Sequence, residues 1–174
     1  MFTYLQFVLV FALAFSLGPP EAEAAKRLRA KIFITQKRIP KNLNERKLIS
    51  FAKANRAKSL KEQTGKPLAK RKWIADMVVA FNAPPGDFEY HALFFDISGG
   101  GRRYVDDLAT MIGDKTRRTF LQKIKLRKPM FEPGKKYEVV ITIRRAEIAT
   151  AQFETSGQQK KRTGRVDFSD DETK

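Results

Sequence analysis

The chain has 174 residues, 42% of them apolar, with 35 Lys and Arg against 19 Asp and Glu, one His, no Cys and a formal net charge of +16. That length holds one ordinary domain with its own core. The lack of cysteine excludes disulfide scaffolds, cysteine zinc sites, thiol nucleophiles and lipidated-cysteine anchors, and a lone histidine leaves little for a metal cluster.

Residues 7–17 (FVLVFALAFSL) form an uncharged apolar run, followed by the breaker Gly18-Pro19-Pro20 and by Ala22-Glu23-Ala24, a small-x-small cleavage pattern. Even from Phe2 to Leu17 the segment falls short of the roughly 20 residues that a bilayer-crossing helix needs. No Lys or Arg precedes it, so the amino group alone supplies the positive end. The pattern predicts a cleaved signal peptide over 1–24, cut between Ala24 and Ala25, and a periplasmic or extracellular protein with no transmembrane segment after cleavage. Losing Glu21 and Glu23 with the leader raises the formal charge by two. No Asn-x-Ser/Thr acceptor is present, which agrees with bacterial export.

Residues 25–67 read as a strand plus an amphipathic helix. Lys31 to Gln36 alternates, with Ile32 and Ile34 on one side, and Pro40 closes it. Asn44-Glu45 reads as a helix cap, and at 100° per residue Leu48, Ile49, Phe51, Ala52 and Leu60 share one half of the circumference. Lys47, Lys53, Lys58 and Lys61 take the other half, and Thr64-Gly65-Lys66-Pro67 ends the predicted helix.

From Trp73 the period changes to two, and residues 68–156 predict a β-sandwich. Lys72 to Asn82 puts Trp73, Ala75, Met77, Val79 and Phe81 on one face, and Phe88 to Ser98 follows after Pro84-Pro85-Gly86. Gly99-Gly100-Gly101 turns the chain into Arg102 to Val105, extended by Leu108 to Ile112. Arg117 to Lys128 sets Phe120, Ile124 and Leu126 against Leu121, Lys123, Lys125 and Arg127, a dry face and a cationic one. Tyr137 to Arg145 and Ile148 to Thr155 form a hairpin. Residues 157–174 hold two isolated apolar residues, Val166 and Phe168, in a charged tail expected to be flexible.

The stretch VVAFNAPPGD (78–87), followed by Tyr90-His91-Ala92-Leu93-Phe94-Phe95, resembles the second and third strands of fibronectin type III modules, with Phe81 where that family prefers tryptophan. FEPGKKYEV (131–139) resembles the same family's tyrosine corner, with Tyr137 the matching phenol. The resemblance spans about residues 73–155. It implies a mostly β, immunoglobulin-like antiparallel sandwich, here with one added helix, a scaffold used mostly for adhesion, spacing and partner binding. The chain carries no Arg-Gly-Asp attachment triplet. It is also similar to basic, exported, uncharacterised bacterial proteins, a likeness that implies no activity.

No catalytic constellation emerges. His91 needs Ser98 or another serine to converge on it, and there is no Gly-x-Ser-x-Gly elbow. Asp76, Asp96, Asp106 and Asp107 lie within or beside apolar runs, and nothing in the sequence sets two of them around a cleft as a glycosidase pair requires; the acids of 167–172 lack EF-hand spacing, and Gly99-Gly100-Gly101-Arg102-Arg103 joins strands rather than opening a helix. Neither a cofactor nor a metal is expected. The positive charge is the unusual property, and it predicts salt-dependent attraction of anionic partners: envelope lipid, cell-wall or capsular polysaccharide, DNA, or an acidic protein. Two clusters are candidates for anion binding, Lys66, Lys70, Arg71 and Lys72, and Lys160, Lys161, Arg162 and Arg165. Neither interleaves aromatics, so nucleic acid enters only as an unspecific partner. The expectation is a non-catalytic exported binding or structural module. Its alternatives are a direct polyanion binder and a small hydrolase with an unrecognised site.

Overall fold

The computed structural model describes residues 27–158. The expected leader, its Ala24–Ala25 junction and the tail cations Lys160, Lys161, Arg162 and Arg165 lie outside the described residues. Eight strands and one helix follow in the order β1 (Ala30–Thr35), α1 (Glu45–Ala54), β2 (Ser59–Lys61), β3 (Lys72–Phe81), β4 (Glu89–Asp96), β5 (Arg103–Met111), β6 (Thr119–Arg127), β7 (Lys136–Ile143) and β8 (Ala146–Ser156). They form two sheets, β1-β3-β6 and β2-β8-β7-β4-β5, antiparallel throughout except for the parallel pair β2 and β8.

Alternation places the core. In β3, Trp73, Ala75, Met77, Val79 and Phe81 are buried between the sheets, and Ile124 and Leu126 of β6 and Tyr137, Val139 and Ile141 of β7 join them. Aromatic rings fill two layers. Phe81, Tyr90 and Phe120 meet at centroid distances of 5.6–5.9 Å. Phe131, Tyr137 and Phe153 form the other, at 5.0 Å and 5.8 Å. Strand β7 departs from simple alternation, because Glu138, Val140 and Thr142 of its outward face are also buried. It lies between β4 and β8, whose side chains crowd it from both sides. The tyrosine corner is present: the Glu132 amide donates to the Tyr137 phenol oxygen at 2.8 Å.

The helix is shorter than its apolar spacing predicts. Asn44 caps it by accepting from the Lys47 amide at 2.9 Å. It stops at Ala54, where the Asn55 amide and side chain both turn back to the Phe51 carbonyl. Leu60 therefore leaves the helical face assigned to it and enters β2, fully buried and paired in register with Thr155 of β8. Tertiary burial decides this: a leucine taken out of water contributes about 1.5–3 kcal/mol, more than one further turn of marginal helix supplies. The helix packs through Ala52, Leu48 and Ile49 onto Phe33 and Val78, the outward face of β1 and β3.

Register fixes the two ends of the sandwich. One end gathers the entry at Arg27–Arg29, the 82–88 connection, the 112–118 connection and the Arg144-Arg145 turn. The entry is tied to Asn82, whose amide donates to the Arg29 carbonyl at 3.0 Å. The opposite end holds Leu68–Lys70, the glycine turn, the 128–135 connection and the exit at Ser156–Gln158. The chain thus enters at one end and leaves at the other.

Candidate anion-binding surface

The outward face of β6 carries Leu121, Lys123, Lys125 and Arg127, all exposed. Pairing sets them against Val78, Asp76, Ile74 and Lys72 of β3. Alternate residues of a strand stand about 7 Å apart, so Lys123, Lys125 and Arg127 form a row about 14 Å long. Lys72 stands directly opposite Arg127, a like-charge pair that works against pairing of the strands. Among the described residues, none of these four cations makes an ion pair. One carboxylate shares the face, Asp76 opposite Lys123.

Among the described residues six other cations are matched with acids, while others on α1 and the connections, Lys47, Lys53, Lys115 and Arg117 among them, make no ion pair. Arg103 Nη2 and Lys135 Nζ reach Asp96 Oδ2 at 2.9 Å and 3.2 Å. Arg102 Nε meets Glu138 at 2.5 Å and its Nη1 meets Glu147 at 2.9 Å. Lys128 pairs with buried Glu62, Lys136 with Glu154 at 3.6 Å, and Arg144 with Asp87 at 2.7 Å. Burial pushes the Asp96 pKa up, but the Ser98 amide and hydroxyl, Lys135 and Arg103 outweigh it and hold the carboxyl at about 2. The arginines that follow Gly99-Gly100-Gly101 are thus held by carboxylates, and the glycines serve a turn in which Gly100 takes a φ of +84°.

The first basic cluster divides. Lys66 and Lys70 are exposed on the connection before β3. Arg71 turns inward along the chain, its Nε donating to the Lys66 carbonyl at 2.7 Å and its Nη1 to Gln158 at 2.9 Å. Lys72 alone of the four stands on the sheet face with the β6 cations. Alternation in the sequence reveals the cationic side of β6 but not its partner. The register between β3 and β6 adds Lys72 to the row, and no local signal records that pairing. Trp73 is fully buried and donates Nε1 to the Ser156 carbonyl at 2.8 Å, so it belongs to the core and offers no stacking surface.

His91 lies on the outward face of β4, its Nε2 3.4 Å from Glu89 and its Nδ1 3.8 Å from Asp107. It stands in a shallow hollow of about 540 Å³ with Leu93, Thr142 and Arg145. Ser98 lies past the far end of β4, and the Tyr104 hydroxyl donates to Asp107 at 2.7 Å. Among the described residues no group of three or more His, Asp or Glu side chains is arranged to hold a metal ion.

A two-sheet antiparallel sandwich closed by a tyrosine corner is immunoglobulin-like. No family model matches the chain. No curated protein matches it either. Among solved structures it is similar to an immunoglobulin-like protein of Pseudomonas aeruginosa, at 9% sequence identity and a TM-score of 0.40, over 74% of this chain and 95% of that one.

Proposed function

We propose that the protein is a non-catalytic binding module, exported to a bacterial envelope or extracellular assembly, whose basic surface meets an anionic partner. One observation supports this above the rest: Lys72, Lys123, Lys125 and Arg127 share the outward strand face beside α1, to which β3 and β6 contribute a single acidic side chain, Asp76. An unrelieved row of cations costs fold stability and concentrates anions. Immunoglobulin-like sandwiches also serve mostly as partner-binding scaffolds, which supports reading this one as a binding module.

The test is capture from the native envelope fraction at low ionic strength, followed by a salt gradient. Release of an anionic polymer or acidic protein at moderate salt is the expected result. Capture that ignores salt, or turnover of a substrate that is lost in His91→Ala while the fold persists, overturns the proposal. A second reading, direct capture of a polyanion without a protein intermediary, is favoured by the linear spacing of the row.

A further inference from the structure

We infer that the outward face of β6, completed by Lys72 of β3, is a docking ledge for a linear acidic polysaccharide. This rests on the anionic-partner reading above and names its site and occupant. Three cations about 7 Å apart along one strand do not converge on a single small anion; they match a chain that presents one charge after another. The binding groups are long side chains that project from two paired strands.

The surroundings select among polymers and surfaces. The side chains interspersed with the cations are Ile74, Val78 and Leu121, all aliphatic, so unstacked bases find no aromatic platform here. The helix rests on Phe33 and Val78, beside the row. A helix with its side chains is about 10 Å across, so α1 stands above the sheet as a step next to the ledge. A flat bilayer meets the helix first, whereas an extended sugar chain lies in the angle between step and strand. Asp76 weakens attraction at the Lys123 end, so the strongest field is at Lys125, Arg127 and Lys72.

The protein isolated from cells expressing the full chain is titrated with heparin and polygalacturonate, with mixed-sequence duplex DNA, and with phosphatidylglycerol/phosphatidylcholine vesicles, over a range of salt. The two polysaccharides are expected to bind most tightly. The combined variant Lys123→Gln, Lys125→Gln, Arg127→Gln should lose affinity about tenfold or more, and its slope of log affinity against log salt should fall by about 2 to 3 units. Lys115→Gln with Arg117→Gln should change affinity less than about twofold, since these exposed cations lie on the 112–118 connection at the opposite end of the sandwich from Lys125, Arg127 and Lys72. Thermal unfolding verifies that the triple variant is folded; if it is not, Lys125→Gln alone should lower the slope by about one unit. Polysaccharide binding that survives the triple substitution, or is equally sensitive to the Lys115 and Arg117 pair, overturns the ledge and leaves the anionic-partner reading standing. Tighter binding to DNA or vesicles overturns the choice of polymer. Failure of every anionic probe to bind overturns both.

Discussion

Tyr137 ties a connection to the core through a single hydrogen bond. Its ring lies between Phe131 and Phe153, and its oxygen accepts from the Glu132 amide. Burial pushes the phenol pKa up, so the group stays neutral through the physiological range. Tyr137→Phe keeps the ring and orphans a backbone amide, and urea unfolding should show a loss of about 1 kcal/mol. An unchanged midpoint would mean that water satisfies Glu132 instead. At Asp96 the leverage is in pH. Its pKa is lowered from 3.8 to about 2 in the fold, so its contribution is complete above the unfolded value and disappears as pH falls toward 2. Asp96→Asn should cost about 2 kcal/mol near neutrality and flatten the acid limb of a stability–pH curve between about pH 5 and pH 2. A variant with the same acid limb as the parent would place the titrating group elsewhere. Both residues show what a sequence discloses at this scale. Tyr137 is legible because its motif is local, while the three donors that gather on Asp96 come from β5, the 128–135 connection and the turn after β4.

At the scale of elements, β2 and α1 compete for Leu60. Period alone admits Leu60 to the helical face of Leu48 and Ile49, because a helix and a chance recurrence look alike over so few residues. The pairing of Ser59–Lys61 with Glu154–Ser156 bridges almost a hundred residues of sequence, and nothing local announces it. Leu60→Ala should therefore cost about 2–5 kcal/mol, as a fully buried leucine does. Leu48→Ala, on a half-buried face, should cost distinctly less, and denaturant midpoints compare the two directly. Similar losses would restore Leu60 to the helix. The remaining strands were legible to within a residue or two because alternation is a local property, and the hairpin of β7 and β8 follows from a short connection. The adjacency of β3 with β6 and of β4 with β7 was not, since long-range pairing leaves no periodic trace.

Over the molecule as a whole, most ion pairs among the described residues collect on one sheet. Asp87, Asp96, Glu132, Glu138, Glu147 and Glu154 are engaged with cations on the five-stranded sheet and its ends, while on the outward side of β3 and β6, beside α1, Asp76 is the strands' one carboxylate opposite their cations. Composition reveals the excess of positive charge; that Lys72 joins the row of β6 depends on which strands meet. Entry at Arg27 and exit at Gln158 lie at opposite ends, separated by the 11 residues of β8, about 37 Å of extended chain. Tension applied through those two points would draw β1 lengthwise along β3 and β8 lengthwise along β7. Such a load falls on many hydrogen bonds together as shear, instead of peeling them apart in succession. Single-molecule pulling through the ends should accordingly give one abrupt rupture, and a staircase of small yields would contradict that picture.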